Sequence, residues 1–338
     1  MLALLACSSG GESRDAGATD GPPPDGAAGG WRIVLEDLPG VVLSIWGTSA
    51  DDLFVVGGTL ADPSTGDPGE DLILHHDGSA WRRMDVEAPT LWWVYGFAHE
   101  DVWAVGEQGA VLHFDGSEWT PVEGGYGYTL WGVWGAAPND LWAVGGTSNG
   151  SMPALIRRYD GSVWADVDAG LGVDVARYFK VWGTAIDDVF IVGEGGVIVH
   201  FDGVNFTQMS SGTADRLITV YGRGSDDVWA VGGLGSGVVL RYDGKTWASV
   251  GPAGVGGLMG LWTGPGSDVV VSGFYGVVAV GHVSDWNEVV GLTSDCLHGV
   301  WGDGKGTVLA GGGEFLGSPP RAGVIVGIGE LAAGPVQE

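Results

Sequence analysis

A basic residue recurs in five short segments of the chain, each time two positions before an Asp-Gly pair and six positions before an aromatic residue. The basic residues are His75, His113, Arg158, His200 and Arg241, and the aromatic residues are Trp81, Trp119, Trp164, Phe206 and Trp247. An aspartate precedes each segment, at Asp52, Asp101, Asp140, Asp188 and Asp227. Metal sites and catalytic acid–base pairs both commonly place a histidine beside a carboxylate. These two kinds of chemistry are therefore the first hypotheses.

The spacing of the repeat argues against both hypotheses. Each His or Arg occurs once per structural unit, so its copies lie too far apart to share a metal ion. Within a unit, the topology expected for its strands brings the aspartate and the basic residue to the same side. A charge-assisted hydrogen bond between them would hold an outer hairpin to an inner loop. We expect five structural ion pairs and no metal or catalytic residue among them: Asp52–His75, Asp101–His113, Asp140–Arg158, Asp188–His200 and Asp227–Arg241.

Short β-rich runs must position these residues. Seven aromatic residues each close an apolar run, at Trp46, Tyr95, Trp134, Trp182, Tyr221, Trp262 and Trp301. Their separations are 49, 39, 48, 39, 41 and 39 residues, with no helical period between them. Asp-Gly between two β-rich runs predicts a tight hairpin. Four strands in each unit of about 40–50 residues are typical of a β-propeller.

The ends of the repeat predict how the ring closes. The last unit, from Trp301 onward, lacks a fourth strand, whereas the segment beginning at Trp31 precedes any first strand. We therefore expect Trp31–Leu35 to pair with a strand near Val324–Ile328, which leaves no open edge in the ring. The prediction is an all-β, seven-bladed propeller of four-stranded antiparallel blades over residues 31–330, followed by a C-terminal tail at 331–338.

The motifs of the repeat resemble those of a known group of proteins. In "DDVWAVGGLGSGVVLRYDGKTWASV" (226–250), the Gly-Gly pair and the Tyr and Trp beside the last strand are similar to a kelch repeat. The D-G-x-x-W element is similar to the Asp-box of sialidases. The chain thus resembles the bacterial kelch/BNR-like (WD40/YVTN/BNR-like) propellers over residues 31 to about 330. That resemblance implies the fold, and the fold hosts enzymes, lectins and scaffolds alike.

Composition narrows the function classes. The chain of 338 residues has 42 Asp and Glu against 14 Lys and Arg, a net charge of −28. Nucleic acids and anionic membrane surfaces bind basic patches, so neither is an expected partner of a chain this acidic. No cofactor is expected, with calcium on the acidic surface as the alternative. The sequence has no H-E-x-x-H or P-loop motif. A sialidase-like glycosidase is the alternative to a non-enzyme, and it needs two carboxylates within about 5–10 Å.

The N-terminus indicates a location. Residues 1–7, "MLALLAC", resemble a truncated bacterial lipoprotein signal with Cys7 as the lipidated residue, and residues 8–30 are rich in Gly, Pro, Ser and Asp, as in a flexible tether. We expect an extracytoplasmic protein, lipid-anchored to the outer membrane or cell envelope, or secreted; an unmodified tail is the alternative. With an upstream start restored, labelled palmitate should enter the protein at Cys7, and no incorporation in the native host would contradict the lipid anchor.

Eight residues fall outside the repeat and form the candidate ligand site: Trp92, Trp93, Tyr126, Tyr128, Trp131, Tyr178, Phe179 and Lys180. We expect them at the mouth of the central channel, with Trp93 facing the channel. Exposed aromatic rings in a concavity bind sugars or peptides. The alternative is that they plug the channel or pack between blades. The sequence therefore predicts a monomeric binding propeller for a glycan or protein, with a sialidase-like enzyme and a structural envelope scaffold as the alternatives.

Overall fold

Asp-Gly turns and alternating apolar runs build the same four-stranded sheet seven times. The computed structural model describes residues 30–59, 69–124, 127–172, 175–252, 254–266, 268–283, 285–289, 292–315, 321–331 and 335–337. In that part of the chain, 28 strands form seven four-stranded antiparallel sheets, the blades of a propeller. The first strand of each blade contacts the first strand of the next, so the first strands surround the central axis.

The strands follow chain order from the axis outward in blades 1 to 6. Blade 1 comprises β2 (Val41–Ser49), β3 (Asp52–Gly58), β4 (Asp71–His76) and β5 (Trp81–Arg83); blade 2 comprises β6 (Leu91–Ala98), β7 (Asp101–Gly106), β8 (Val111–Phe114) and β9 (Trp119–Val122). Blade 3 comprises β10 (Thr129–Ala137), β11 (Asp140–Gly146), β12 (Leu155–Tyr159) and β13 (Trp164–Asp166); blade 4 comprises β14 (Tyr178–Ala185), β15 (Asp188–Gly193), β16 (Ile198–Phe201) and β17 (Phe206–Met209). Blade 5 comprises β18 (Leu217–Gly224), β19 (Asp227–Gly232), β20 (Val238–Tyr242) and β21 (Trp247–Ser249); blade 6 comprises β22 (Leu258–Thr263), β23 (Val269–Gly273), β24 (Val278–His282) and β25 (Asp285–Val289). Single 3₁₀ turns span Glu107–Gly109, Glu194–Gly196 and Phe274–Gly276.

Blade 7 combines both ends of the chain. From the axis outward it contains β26 (Cys296–Gly302), β27 (Val308–Glu314), β28 (Arg321–Ile328) and β1 (Arg32–Leu38). Strand β1 pairs with β28 through Arg32–Gly327, Ile33–Val326, Leu35–Ile325 and Leu38–Gly323. The predicted closure by the N-terminal strand and the predicted seven-bladed all-β fold are both confirmed.

The Asp-Gly turns have the backbone that the sequence predicts. Gly116 and Gly203 lie at φ +92° and +88°, the left-handed region in which glycine is favoured. A Cβ on Gly203 would stand 2.6 Å from Asp187 Cβ, so this turn rests against the turn between the first two strands of its own blade. Asp115 accepts hydrogen bonds from the Ser117 hydroxyl and from the backbone N–H groups of Ser117 and Glu118, and these lower the pKa of Asp115 to about 2. The turn aspartates are structural.

The aromatic-glycine pairs that mark the repeat lock each blade to the next. The ring of Trp46 lies 2.7 Å from where a Cβ on Gly96 would stand, and the Trp134 ring lies 2.8 Å from the same position on Gly183. A side chain at either glycine would therefore displace the ring of the preceding blade. Gly222 and Gly302 leave room for Trp182 and Trp262 of the preceding blade in the same way.

Among the described residues there is no helix with the length and hydropathy needed to cross a membrane. We call the side that carries the connections between blades, together with the turns between second and third strands, the upper face. The turns between first and second strands and between third and fourth strands form the lower face.

Candidate functional site

Every first strand carries a β-bulge at the same position. The pairing between the first and second strands skips one residue in each blade: Leu43, Trp92, Trp131, Phe179, Ile218, Met259 and His298. A skipped residue no longer follows the alternation of the strand, so its side chain points in a different direction from the one that alternation predicts. The seven bulges therefore create a ring of side chains that ordinary strand geometry does not provide.

These bulge residues fill the upper end of the channel. Six of them pack into one buried cluster with Val41, Cys296, Phe274 and Phe315. The seventh, His298, is buried with its ring 5.7 Å from the Trp92 ring and 6.4 Å from the Phe315 ring. Because each of the seven blades contributes one residue, the cluster lies on the axis. We call it the channel plug.

The channel plug contains three of the eight sequence-predicted ligand residues. Trp92, Trp131 and Phe179 are 4%, 2% and 1% exposed, so the expectation that they face solvent at a channel mouth is wrong. The physical reason is the bulge, which turns one side chain of every blade toward the axis, including these three large apolar ones. The neighbouring Trp93 was expected to face the channel, but the residue that the bulge turns into the buried cluster on the axis is Trp92.

The other candidates lie in separate places. Trp93 and Tyr128 are half-buried and pack against the core between blades 2 and 3. Tyr178 is buried between blades 3 and 4. Tyr126 lies outside the described residues. A ligand-binding role for Trp93, Tyr126, Tyr128 and Tyr178 stays a prediction.

Lys180 is a buried amine beside the channel plug. Its Nζ donates a hydrogen bond of 2.6 Å to the Trp131 carbonyl and lies 4.2 Å from the centre of the Trp93 ring. The side chain crosses blade 3 at Gly132, where a Cβ would stand 3.3 Å from Lys180 Cδ. Burial lowers the pKa of Lys180 to about 7. Burial and the nearby Lys180 lower the pKa of His298 to about 3, so His298 is neutral and its Nδ1 donates to the Leu43 carbonyl at 2.7 Å.

Because Lys180 is buried, the free energy of unfolding should increase as the pH rises above about 7. The pKa of Lys180 in the folded protein, about 7, is below its ordinary value of 10.5. Between those values the unfolded chain keeps a proton that the folded protein loses, so stability rises with pH. Relative to Lys180→Met, the wild-type free energy of unfolding should rise by about 2 kcal/mol from pH 7 to pH 9, as measured by urea unfolding. A constant difference between the two proteins would contradict a Lys180 that is neutral when folded.

The structure brings together the members of all five repeat pairs. The His Nε2 atoms of His75, His113 and His200 lie 2.8, 2.8 and 2.7 Å from the Oδ1 atoms of Asp52, Asp101 and Asp188. Nε of Arg158 lies 2.7 Å from Asp140 Oδ1, and Nε of Arg241 lies 2.7 Å from Asp227 Oδ1. Each pair ties the second strand to the third strand at the lower face. These carboxylates are already bound to partners within their own blades.

One pair has a third member that the repeat does not predict. His99 lies in the turn between β6 and β7 of blade 2, and its Nδ1 is 2.9 Å from Asp52 Oδ1 of blade 1. In the sequence, His99 is marked only by its position, four residues after the anchor aromatic Tyr95. The equivalent residues in the other blades are Ala50, Pro138, Ile186, Ser225, Gly266 and Lys305.

The upper face has a pocket of about 480 Å³ between blades 3 and 4. Its wall is the connection between the blades at 167–172 together with Pro153 and Ala154, and Ile156 and Tyr178 line its inner side. Burial raises the pKa of Tyr178 to about 12, so its phenol stays neutral. The lining combines aliphatic side chains with the backbone groups of a loop. Such a pocket accepts an apolar group flanked by hydrogen-bonding atoms.

Comparison with known proteins gives the fold and no family. No family model matches the chain, and no curated protein matches it. Among solved structures, YCF48 bound to D1 peptide matches with a TM-score of 0.64 at 13% identity, over 89% of this chain and 97% of that one. The WD40 propeller domain of Doa1 matches with a TM-score of 0.63 at 9% identity, over 88% and 96%. The extracellular domain of a putative one-component system, BT4673 from B. thetaiotaomicron, matches at 0.62 and 11%, over 87% of this chain and 39% of that one.

Proposed function

We propose that this propeller is a non-catalytic binding protein that holds an extended segment of a partner protein in the upper-face pocket between blades 3 and 4. The pocket itself is the observation that carries the proposal. It is a concavity of about 480 Å³ whose lining combines aliphatic side chains with polar loop backbone, and the loop that borders it is exposed at Asp168, Gly170 and Gly172. The channel plug fills the upper end of the channel, the other concavity expected for a propeller.

The chemistry of the lining favours a peptide over a sugar. A sugar ring binds by stacking on an open aromatic face. Tyr178 is 5% exposed, whereas the aliphatic side chains of Val167, Leu171 and Val175 are only half-buried and line the pocket. Aliphatic side chains suit an apolar side chain of a peptide, and the loop backbone suits its main chain. The similar fold of YCF48, which is bound to a peptide, supports a peptide ligand for a ring of this shape.

Charge selects the kind of peptide. The net charge of −28 and the exposed Asp168 carboxylate at the pocket rim repel acidic segments and attract basic ones. The preferred ligand is therefore an apolar residue flanked by neutral or basic residues. A second cavity on the upper face, of about 490 Å³ between blades 1 and 2, also has aliphatic side chains, but its lining carries three carboxylates and one guanidinium: Glu70, Asp71, Glu87 and Arg83.

The proposal includes a location and a subfamily. We place the protein outside the cytoplasm as a monomer that is tethered through a lipid on Cys7. Cys7 and the tether up to residue 29 lie outside the described residues. The kelch/BNR-like repeat pattern supports a place among those propellers. An exposed binding face at the end of a tether suits capture of a partner at the cell envelope.

A selection experiment tests the binding role. The full chain is used to select from a phage-displayed library of random peptides and, in parallel, to probe a glycan array. We expect the selected peptides to combine an apolar residue with basic residues. Leu171→Glu places a charge in the aliphatic wall and should weaken the binding of a selected peptide at least about tenfold. Titration calorimetry measures the change.

Two further variants control this test. Asp168→Lys leaves the wall intact and should weaken the basic peptide through charge alone, with an effect that shrinks at high salt. Val204→Glu introduces the same charge as Leu171→Glu on the lower face, at a side chain that is 82% exposed, and should leave affinity unchanged. Equal affinity in wild type and Leu171→Glu, or selection of glycans alone, would overturn the proposal.

A further inference from the structure

Two imidazoles and one carboxylate meet at the lower face between blades 1 and 2. His75 Nε2 and His99 Nδ1 lie 2.8 and 2.9 Å from the same oxygen, Asp52 Oδ1. All three ligand atoms lie within 4.8 Å of one another. Asp227 also has two basic partners, Arg223 and Arg241, but guanidinium groups do not ligate metals. Among the repeat aspartates, all of which are described, Asp52 is the one that contacts two imidazoles.

We propose that Asp52, His75 and His99 form a binding site for a divalent transition metal of the zinc class, joining blade 1 to blade 2. Two imidazole nitrogens and one carboxylate oxygen are the donor set of three-ligand zinc sites, with a fourth position for water. Nitrogen donors select borderline metals over calcium and magnesium, which bind through oxygen.

The distances from Asp52 Oδ1 to the two histidine nitrogens are close to those in a zinc-bound site. Zinc bonds to nitrogen and oxygen are about 2.0–2.2 Å, which puts tetrahedral ligand atoms about 3.3 Å apart. Each nitrogen needs to withdraw from Asp52 Oδ1 by about half an ångström to meet that spacing, and the two nitrogens lie within 4.8 Å of each other. His99 can do so, because its side chain is 45% exposed and lies in a turn. The same exposure gives water access to the fourth position.

The surroundings already orient the ligands. The Thr48 hydroxyl donates a hydrogen bond of 2.7 Å to Asp52 Oδ2 and leaves Oδ1 to the histidines. The Phe54 ring lies 4.6 Å from the His75 ring and 5.8 Å from the His99 ring and forms an apolar wall. Hydrogen bonds that hold a ligating carboxylate tune metal affinity.

Blade 4 supplies an internal control for this geometry. Asp188 accepts hydrogen bonds from His200 and from Thr184, the same pattern as Asp52 with His75 and Thr48. The residue that corresponds to His99 there is Ser225. Blade 2 likewise pairs His113 with Asp101, and its equivalent of His99 is Pro138. A metal that needs two imidazoles therefore binds at blade 1 and not at these copies.

The experiment is a zinc titration of the full chain after removal of metal with a chelator. We expect one zinc per chain by calorimetry, and cobalt(II) in its place should give visible absorption from nitrogen ligation. His99→Ala removes an exposed ligand and should weaken zinc binding at least about 100-fold. Thr48→Val, which leaves all three ligands in place, should weaken it about tenfold. Bound zinc should also raise the melting temperature of the wild type, because it joins two blades.

The matched control is His113→Ala, which removes a histidine from the same kind of pair without touching the site. It should retain wild-type zinc affinity and stoichiometry. Absence of one-to-one binding to the wild type would overturn the proposal, as would unchanged affinity in His99→Ala or an equal loss in His113→Ala. The cobalt spectrum of the wild type needs no variant, so misfolding of a mutant cannot decide the outcome.

Discussion

Removing residues 1–38 should destroy most of the stability of the propeller. This deletion removes β1 and leaves the hydrogen-bonding edge of β28 uncovered. It also removes four buried side chains, Trp31, Val34, Leu35 and Leu38. Burial of each such side chain stabilises by about 1.5–3 kcal/mol, which amounts to about 6–12 kcal/mol for the strand. An ordinary domain has a total stability of about 5–15 kcal/mol.

Urea unfolding and gel filtration measure this effect. We expect the protein lacking residues 1–38 to unfold at far lower urea or to aggregate through the open edge. The control lacks residues 1–29 and keeps β1, and it should unfold as the full chain does. A synthetic peptide of residues 30–38 should restore stability in trans by adding the missing strand. Equal unfolding of the two truncated proteins would contradict closure of the ring by β1.

Trp131→Ala should have the next largest effect, because Trp131 belongs to the channel plug and is 2% exposed. Truncation of a buried tryptophan leaves a cavity and costs about 3–5 kcal/mol. Trp131→Phe keeps an aromatic ring beside Phe179 and should cost less than half as much. The free energy of unfolding from urea titrations checks both values.

The same measurement separates packing from ligand binding in the channel. A tryptophan that served as an open platform for a ligand would cost little stability when truncated. A loss below about 1 kcal/mol for Trp131→Ala would show that the plug is loose at this position and would return Trp131 to the list of ligand candidates.

The repeat made the fold predictable in detail. Asp-Gly turns at fixed distances from tryptophan define the outer hairpins, and seven aromatic anchors define the number of blades. The unmatched strands at Trp31 and after Trp301 together predicted the closure. The turn and anchor signals are local and occur several times, so one irregular blade did not obscure the pattern. The seventh blade is such a case: it has Thr307 six residues after its anchor, where the other six blades have aspartate.

The candidate site was harder to predict because its determinants do not follow strand alternation. Trp92 and Trp93 are neighbours, and ordinary alternation sends one of them away from the axis, but the bulge turns Trp92 into the channel plug. The pocket depends on the path of the connection at 167–172, and loops have no period from which to read a direction. His99 is visible in the sequence only as a deviation from the repeat, and its contact with Asp52 crosses from one blade to another.

The most direct test of the proposed binding role is hydrogen–deuterium exchange of the full chain with and without a selected peptide. We expect new protection at 153–156, 167–172 and 175–178, on the upper face between blades 3 and 4, with no change at the lower-face turns around Val163 and Val204. Protection at the lower face, or no change at 167–172 and 175–178 at a saturating peptide concentration, would contradict a peptide site in this pocket.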